Sequence, residues 1–299
     1  MKSDKTVKTE SRRKTPLIVR WLRFSLRAQA LISKRWAGRR VYRLWFVSPK
    51  HPEPQREKRW RESAAFIAVP HRYGPIATYK WGESDKTVLL LHGWSGRGPQ
   101  MGAFVEPLLA RGYQLVAIDA PGHGRTPGNR SSIFRMNAAL QAVIEEVGPV
   151  EAVITHSFGA MLLAYALKHT DFNTNKAVCI SSPTTPHFLI DRFCSVMQVD
   201  DKVKQHFMRH AEQQYGQDVW DKLSAHKNVQ DIRLPALIIH DQDDHDVPSQ
   251  FGQQLADAWA GSQFHLTRGL GHRRILRNKE VINRVVDYLY EKPGSESSR

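Results

Sequence analysis

The sequence predicts an α/β protein with a mostly parallel sheet of about eight strands flanked by helices, a helical cap insertion and a basic helical N-terminal extension. Three observations predict this arrangement. Short apolar runs alternate with amphipathic segments through most of the chain, one long interval between two such runs lacks a strand pattern, and the excess positive charge lies near the N-terminus.

The positive charge belongs to the extension alone. Residues 1–61 contain 19 Lys and Arg against four Asp and Glu, whereas residues 62–299 contain 25 of each. A basic extension followed by a neutral globular domain accounts for this difference. The predicted boundaries are 1–62 for the extension, 63–292 for the domain and 293–299 for a disordered tail.

The extension has an amphipathic helical pattern. A helix is predicted to start at Thr15 and Pro16, as N-cap and first helical residue, after a disordered segment 1–14. Arg and Lys recur at helical spacing as far as Phe46, with apolar side chains between them. Two interpretations of the apolar face stay open, packing on the domain or docking of residues 15–47 on an anionic membrane surface. No nucleic-acid motif accompanies the charge, so nucleic acid is not an expected partner.

Eight short apolar runs after the linker 48–58 are predicted to be strands. They are 64–70, 76–82, 87–93, 114–119, 151–156, 176–181, 236–241 and 263–268. Amphipathic segments predict helices at about 99–111, 132–147, 158–169, 249–260 and 279–291. The alternation indicates a mostly parallel sheet, and the first two runs, with no helix between them, indicate an antiparallel start.

One interval departs from the alternation. More than 50 residues, Pro183 to Pro235, carry helical patterning and no strand pattern. Insertions of this length in a compact sheet protein usually form lids or binding elements, so a helical cap is predicted at about 184–234.

The composition, 41% hydrophobic and 24% charged, is typical of a soluble globular protein, and no apolar run approaches the roughly 18 residues that a membrane span needs. Two cysteines, Cys179 and Cys194, cannot form a disulfide framework. We therefore expect a cytoplasmic protein, with peripheral attachment to the inner face of the membrane as the alternative that the basic extension adds.

Reactive groups in such sheets lie at the carboxyl ends of the strands. Ser157 follows the strand 151–156 in "THSFG" and precedes a helix, as a nucleophile on a strained turn would, with helix capping as the alternative role. The Phe158 amide then faces a developing oxyanion, as do backbone amides from Trp94 onward in "LHGWSGRG". Thr155 replaces the first glycine of the G-x-S-x-G pattern, and we expect a local shift of the turn to accommodate it.

Two later loops supply an acid and a base. The loop "HDQDDHDVP" (240–248) offers carboxylates that can orient an imidazole, and "GLGHRRIL" (269–276) offers His272, preferred over His265 as the base. His123 in "APGHGRT" is predicted to be structural. A metal site is the competing interpretation of the acid loop. Its ligands would come from His240, Asp241, Asp243, Asp244, His245 and Asp246.

Five segments in this order, "HGW", "DAPGHGRT", "THSFGA", "HDQDDHDVP" and "GLGHRRIL", resemble the α/β-hydrolase superfamily over roughly residues 64–291. The resemblance implies the α/β-hydrolase fold and a serine-nucleophile, esterase- or lipase-like member that needs no metal or organic cofactor. It puts the acid at Asp244, with Asp246 as second choice, and Asp241 where the family often has glycine. The implied triad is Ser157, Asp244 and His272, and the implied oxyanion donors are the backbone amides of Trp94 and Phe158.

The implied reaction is hydrolysis of a small-molecule carboxylic ester through an acyl-enzyme on Ser157, with a lipid-like or medium-chain acyl group weakly favoured. An amidase, a thioesterase or an acyltransferase would use the same fold. A non-catalytic binding module on a hydrolase scaffold is the alternative from another class. Neither the substrate nor the oligomeric state can be read from the sequence.

Overall fold

The computed structural model describes residues 16–291 of the chain. The chain divides into two compact units. The larger unit comprises Phe46–Leu189 and the described residues from Tyr215 onward, and the smaller comprises the described residues up to Trp45 together with Ile190–Gln214. The predicted disordered segments, 1–14 and 293–299, and the predicted N-cap Thr15 lie outside the described residues.

The larger unit is built on one eight-stranded sheet. Its strands are β1 (Ala65–Val69), β2 (Ile76–Trp81), β3 (Thr87–Leu91), β4 (Gln114–Ile118), β5 (Val150–His156), β6 (Lys176–Ile180), β7 (Ala236–Asp241) and β8 (Gln263–Thr267). Their order is β1-β2-β4-β3-β5-β6-β7-β8. β2 pairs antiparallel with β1 and β4, and every later pair is parallel. The structure confirms the predicted fold class and the antiparallel start.

The central strands are apolar on both faces. Every residue of β3, β4, β6 and β7 is buried, as parallel strands covered by helices on both sides must be. The edge strand β8 is only partly buried. The chain continues from β3 to β4 on one side and then returns to β5 on the other, so the order reverses at β3. In open α/β sheets, ligands bind at the carboxyl ends of the strands at such a point.

Helices of the larger unit cover both faces of its sheet, and two separate apolar layers result. Counted over both units, the helices of the described residues are α1 (Leu17–Ile32), α2 (Lys34–Trp45), α3 (Gln55–Glu62), α4 (Val105–Leu109), α5 (Ile133–Val147), α6 (Phe158–His169), α7 (Pro186–Met197), α8 (Asp201–Tyr215), α9 (Val219–Lys222), α10 (Ala225–Asn228), α11 (Gln250–Ala258), α12 (Gly271–Arg274) and α13 (Lys279–Tyr290). Short 3-10 helices precede α4 and α13, at Gly98–Phe104 and Ile275–Arg277. Side-chain oxygens of Ser132 and Asn278 cap α5 and α13.

The extension differs from its prediction in two places. The amphipathic pattern up to Phe46 forms two helices, because Ser33 adopts an extended conformation and its hydroxyl accepts a hydrogen bond from the Trp36 amide at 3.2 Å, which caps α2. The predicted linker 48–58 is partly helical, since α3 begins within it. Glu57 of α3 is buried and forms an ion pair with Arg97 at 3.3 Å. The local sequence pattern does not predict this tertiary contact.

The smaller unit joins α1 and α2 to parts of the predicted cap. The ring of Trp45 lies 5.3 Å from that of Phe193 and 5.9 Å from that of Phe207, both within Ile190–Gln214. The whole predicted cap, 184–234, is described and contains helices α7 to α10 without a strand. The domain boundaries stay a prediction. Within residues 16–291, no helix combines the length and apolar character that crossing a membrane requires.

Candidate active site

Ser157 occupies a strained turn between β5 and α6. Its φ of 53° and ψ of −121° put it in a region that L-residues rarely adopt and that costs about 1–3 kcal/mol. The Ser157 amide donates to Ile180 O at 2.9 Å, which ties the turn to the end of β6. The Ser157 side chain makes no capping hydrogen bond with α6. The helix-capping alternative is therefore wrong, and the hydroxyl is left for another role.

Two glycines make this turn sterically feasible. A Cβ on Gly93 would lie 2.8 Å from Ser157 Cβ, and a Cβ on Gly159 would lie 2.5 Å from Leu91 O. Non-bonded atoms do not approach a Cβ that closely in folded proteins. The absence of both side chains lets α6 start directly against the loop that follows β3.

Thr155 is accommodated inside β5 without a break in the strand register at its position. It lies inside β5, fully buried, and pairs with Leu91 on one side and Cys179 on the other, with continuous register at both. Its hydroxyl donates to Val178 O at 3.2 Å. A β-branched residue fits an extended strand, and its polar atom has an acceptor there. The expected local shift of the turn at Ser157 stays a prediction.

Asp244 and His272 form a short acid–imidazole pair. Asp244 Oδ2 accepts from His272 Nδ1 at 2.7 Å, and Asp244 Oδ1 accepts from the amides of Asp246 and Val247 at 2.9 and 2.8 Å. Burial opposes ionisation of Asp244, but hydrogen bonds from His240 and His272 hold the pKa of its carboxyl well below its usual value. Because Nδ1 of His272 carries the proton given to the carboxylate, Nε2 is the ring nitrogen available as a base.

Asp246, the second choice for the acid, lies elsewhere. Its carboxylate is 3.6 Å from Arg273 Nη2, whereas the buried Asp244 carboxylate contacts His272. The geometry therefore favours Asp244. Across residues 16–291, no group of three or more His, Cys, Asp or Glu side chains is arranged to hold a metal ion.

Asp241, which stands where the related pattern often has glycine, ties the acid loop to the His272 loop. Its Oδ1 accepts from the Gly271 amide at 2.8 Å, and its Oδ2 accepts from the Leu270 amide at 3.1 Å and from the Thr267 hydroxyl at 2.7 Å. Burial opposes the ionised form, but these donors keep the pKa of the Asp241 carboxyl below its usual value. The departure from glycine is visible in the sequence, but this role is not.

His156 links the serine turn to the His272 loop. Its Nε2 donates to His272 O at 2.8 Å, and the two rings lie 4.7 Å apart. Burial, reinforced by His272, lowers the pKa of His156 to about 3, so its ring is neutral. In the part of the chain that the structure describes, no hydrogen bond joins Ser157 Oγ to the His272 ring. The structure thus brings acid and base together and puts the serine beside the residue that contacts the base.

The candidate oxyanion donors flank Ser157. Among the described residues, neither the Trp94 amide nor the Phe158 amide donates a hydrogen bond to the protein. The rings of Trp94 and Phe158 lie 5.4 Å apart. The two amides thus have no hydrogen-bond acceptor among the described residues, and their role as oxyanion donors stays a prediction.

His92 is a residue that sequence analysis missed. Its Nδ1 donates to Gly93 O at 2.6 Å, and its Nε2 accepts from the Ala120 amide at 3.1 Å. Burial lowers the pKa of His92 to about 4, which keeps the ring neutral in this tautomer. Since C=O and N–H point in opposite directions across a trans peptide, holding Gly93 O fixes the direction of the Trp94 N–H. The signal available in the sequence was the His-Gly pair at the end of a buried strand.

The "DAPGHGRT" segment folds around the buried side chain of Asp119. Its carboxylate accepts from the Gly98 and Arg125 amides at 2.7 Å each and from the Tyr79 hydroxyl at 2.8 Å. His123 is also buried, with Nδ1 against Pro121 O at 3.0 Å. These contacts brace the loops beside the site. His265, the histidine not preferred as base, lies in β8.

The α/β hydrolases share this architecture. The strand order of their sheet reverses, a serine lies on a strained turn after β5, and an acid–imidazole pair follows β7 and β8. The model of the Alpha/beta hydrolase family matches residues 88–284, which is more than half of the chain. The chain belongs to this family, and the resemblance inferred from the sequence is confirmed.

Curated relatives are distant and differ in named activity. The chain is 27% identical over 256 residues to 2-hydroxy-6-oxononadienedioate/2-hydroxy-6-oxononatrienedioate hydrolase 2 of Pseudomonas putida, which covers 70% of the chain and 89% of that protein. It is 26% identical over 233 residues to lysophosphatidylserine lipase ABHD12 of Danio rerio, which covers 69% of the chain but only 58% of that protein.

Among solved structures, an esterase from Exiguobacterium antarcticum superposes with a TM-score of 0.57 at 20% identity, covering 76% of this chain and all of that one. At this identity the likeness is one of fold. The family is therefore one of hydrolases, esterases and lipases, and the relatives do not agree on a substrate.

Proposed function

We propose that the protein is a serine hydrolase that cleaves carboxylic esters through an acyl-enzyme on Ser157. The observation that carries the proposal is the 2.7 Å pair of Asp244 and His272, together with a serine on a strained turn whose hydroxyl makes no capping hydrogen bond with α6. Backbone strain of this kind persists where a site requires it.

The first half-reaction acylates the serine. His272 Nε2 removes the proton of Ser157 Oγ as Oγ attacks the carbonyl carbon, and the negative charge collects on the former carbonyl oxygen. The amides of Trp94 and Phe158 donate hydrogen bonds to that oxygen. Collapse of the tetrahedral species breaks the bond to the alcohol oxygen, which leaves with the proton held on His272.

The second half-reaction uses water. His272 takes a proton from the water, its oxygen attacks the acyl carbon, and the second tetrahedral species releases the carboxylic acid and returns the proton to Ser157. Asp244 remains ionised throughout, since its pKa is held low, and stabilises the imidazolium in each half. The chemistry needs no group beyond these side chains and amides.

A cytoplasmic location is part of the same proposal. Both cysteines, Cys179 and Cys194, are buried thiols, and burial raises the pKa of Cys179 to about 12 and that of Cys194 to about 11. Such thiols are suited to a reducing compartment, in which disulfides are rare.

A fluorophosphonate probe tests the nucleophile, because it reacts with a serine only where a base activates it. We expect covalent labelling of the folded protein at Ser157, located by peptide mass spectrometry, and none in Ser157→Ala. Labelling of another serine, or no labelling of the folded wild type, would overturn the proposal.

A panel of p-nitrophenyl esters of increasing acyl length tests the reaction. We expect turnover by the wild type and a loss of on the order of 10⁴-fold or more in kcat for Ser157→Ala. The matched control is Ser249→Ala, a half-buried serine before α11 that makes no capping hydrogen bond. Equal turnover by Ser157→Ala and the wild type would contradict catalysis at this serine.

A further inference from the structure

The helix α1 in the smaller unit has two apolar faces. One face packs inside this unit, where Leu26 and Ala30 are buried. The opposite face is exposed and carries apolar side chains at positions three or four residues apart. We call it the outer stripe; it consists of Leu17, Trp21, Phe24, Ala28 and Leu31, with Ile18 and Ile32 at its sides.

The outer stripe is larger and more exposed than scattered surface residues would be. Leu31 is 87% exposed, Leu17 78%, Phe24 72% and Trp21 59%. Contiguous apolar surface of this kind usually marks a binding surface. Packing against Ile190–Gln214 therefore covers only one side of α1, and the other side needs a partner of its own.

The charge around the outer stripe has one sign. Residues 17–45 contain eight Lys and Arg and no Asp or Glu. Three of these cations have partners in the same unit: Arg23 donates to Val196 O at 2.8 Å, Arg27 to Gln198 Oε1 at 2.9 Å and Lys34 to Asp200 Oδ2 at 2.8 Å. These contacts hold the helix so that the outer stripe faces away from the unit.

The outward face of α2 adds a concave basic site, which we call the basic pocket. Its volume is about 260 Å³. It is lined by Arg35, Arg39, His206, Arg209, His210 and Gln213. Burial, together with the nearby charges of Arg39 and Arg43, lowers the pKa of His210, so the positive charge of the pocket comes from its arginines. Since a water occupies about 30 Å³ of liquid, the pocket has room for a phosphate group and its neighbouring atoms.

We propose that this unit docks on an anionic phospholipid surface, with the outer stripe at the boundary of headgroups and acyl chains and the basic pocket around a lipid phosphate. An apolar face of Leu, Phe and Trp bordered by arginines is the pattern of an interfacial helix. A second copy of the chain fits less well, since residues 17–45 carry eight Lys and Arg and no acid, so two outer stripes in contact would bring like charges together. The proposal is independent of the ester hydrolysis proposed above.

Vesicle flotation of the full-length protein tests the docking. The vesicles contain phosphatidylcholine alone or phosphatidylcholine and phosphatidylserine in equal amounts. We expect flotation with the anionic vesicles only, and weaker binding as salt is raised. Absence of flotation with the anionic vesicles would overturn the proposal.

Two variants separate the apolar and the charged contributions. Phe24→Ser with Leu31→Ser removes the centre of the outer stripe, and Arg35→Gln, Arg39→Gln and Arg209→Gln together remove the pocket charges. Each set alters exposed side chains, so we expect the unfolding midpoint to stay at that of the wild type. Because a basic residue near an anionic surface contributes about fivefold, we expect the triple variant to bind on the order of a hundredfold more weakly.

Matched controls come from the larger unit. Leu266→Ser removes an exposed apolar side chain there, and Lys86→Gln, Arg268→Gln and Lys279→Gln remove three exposed charges. We expect both controls to float as the wild type does. Equal loss in the controls and the variants, or wild-type binding by both variants, would contradict a defined docking surface.

Two further measurements distinguish other occupants. Light scattering after gel filtration would reveal a dimer, and a dimer that Phe24→Ser with Leu31→Ser dissociates, without flotation of the wild type, would assign the outer stripe to self-association. Calorimetric titration with inorganic phosphate tests the basic pocket alone. Phosphate binding that the triple variant abolishes, again without flotation, would assign the pocket to a free anion and overturn the membrane proposal.

Discussion

The turn that carries Ser157 is positioned by the absence of side chains, whereas the loops that carry Asp244 and His272 are positioned by hydrogen bonds. On the serine side, Gly93 and Gly159 leave room for backbone to approach backbone. On the acid side, the carboxylates of Asp241 and Asp244 accept hydrogen bonds from backbone amides and from His272. The two sides should therefore fail differently, one through steric overlap and the other through loss of acceptors.

The largest expected effect is that of Asp244→Asn. The amide cannot stabilise the imidazolium and favours the wrong tautomer of His272, so we expect kcat on a p-nitrophenyl ester to fall by about 10⁴-fold. Asp246→Asn is the matched control, because Asp246 is two residues away and its carboxylate lies beside Arg273. Comparable losses in both variants would show that the acid has been assigned wrongly.

Gly159→Ala tests the steric side. The added Cβ would lie 2.5 Å from Leu91 O, so backbone must move, which we expect to cost about 1–3 kcal/mol of unfolding free energy and about a hundredfold in kcat/KM. Gly148→Ala is the control: its Cβ meets no atom within 4 Å, although its φ of +81° imposes a conformational cost. Urea unfolding and steady-state kinetics measure the stability and the activity of both variants. Full activity in Gly159→Ala would show that the turn tolerates the overlap.

Strand positions and loop order were predictable because they depend on local pattern. Each of the eight predicted strands lies within two residues of its observed limits, as mainly apolar runs bounded by polar or glycine-rich segments allow. The order of Ser157, Asp244 and His272 along the chain likewise follows from the motifs, and the structure brings the last two to 2.7 Å. These features need no knowledge of distant contacts.

What the sequence did not predict depends on contacts between remote segments. His92 acts through Ala120, 28 residues later, and Asp241 acts through Gly271, 30 residues later. The segment 48–58 resembled a linker because it is charged and contains prolines. It is partly helical because the helix that starts at Gln55 buries Glu57 against Arg97. In each case a tertiary partner decides the role of a residue whose neighbours in sequence say little about it.

The two sides also differ in their response to acid. His92, on the serine side, has its pKa lowered to about 4, so the unfolded chain takes up a proton below about 6.5 while the folded chain does not. The unfolding free energy should therefore fall as pH drops from 6.5 to 4, by up to about 3 kcal/mol from His92 alone. Asp244 adds little in this window, since its pKa is lowered from 3.8 and its contribution is lost mainly as pH falls below that value.

Urea unfolding between pH 7 and pH 4 measures this slope, and His92→Gln should reduce it. The control is His226→Gln, a half-buried histidine of α10. A slope that is the same in His92→Gln and the wild type would mean that His92 does not contribute to it.

Asp241→Gly restores the residue that the related pattern often has. It removes acceptors from the Leu270 and Gly271 amides, so His272 should be held less well, and we expect kcat/KM to fall by about tenfold to a hundredfold. Asp241→Asn keeps one side-chain oxygen as an acceptor and should lie between Asp241→Gly and the wild type. Rates of fluorophosphonate labelling provide a second readout. Wild-type kinetics in Asp241→Gly would show that the remaining contacts of the loop suffice.

The smallest expected effect is at Thr155, where the motif departs from glycine. Thr155→Val keeps the shape of the side chain and removes the hydrogen bond to Val178 O, so we expect a loss of about 1 kcal/mol in unfolding free energy and no change in kcat. Thr155→Ser retains the hydroxyl and serves as the control for that bond. Thr155→Gly should also keep its activity, because the register of β5 is continuous at this position and the strain lies at Ser157, after the strand has ended. A large change of kcat in Thr155→Gly would show instead that the side chain in the strand shapes the turn. Side-chain size would then control the turn at Thr155 in β5 as well as at Gly93 and Gly159.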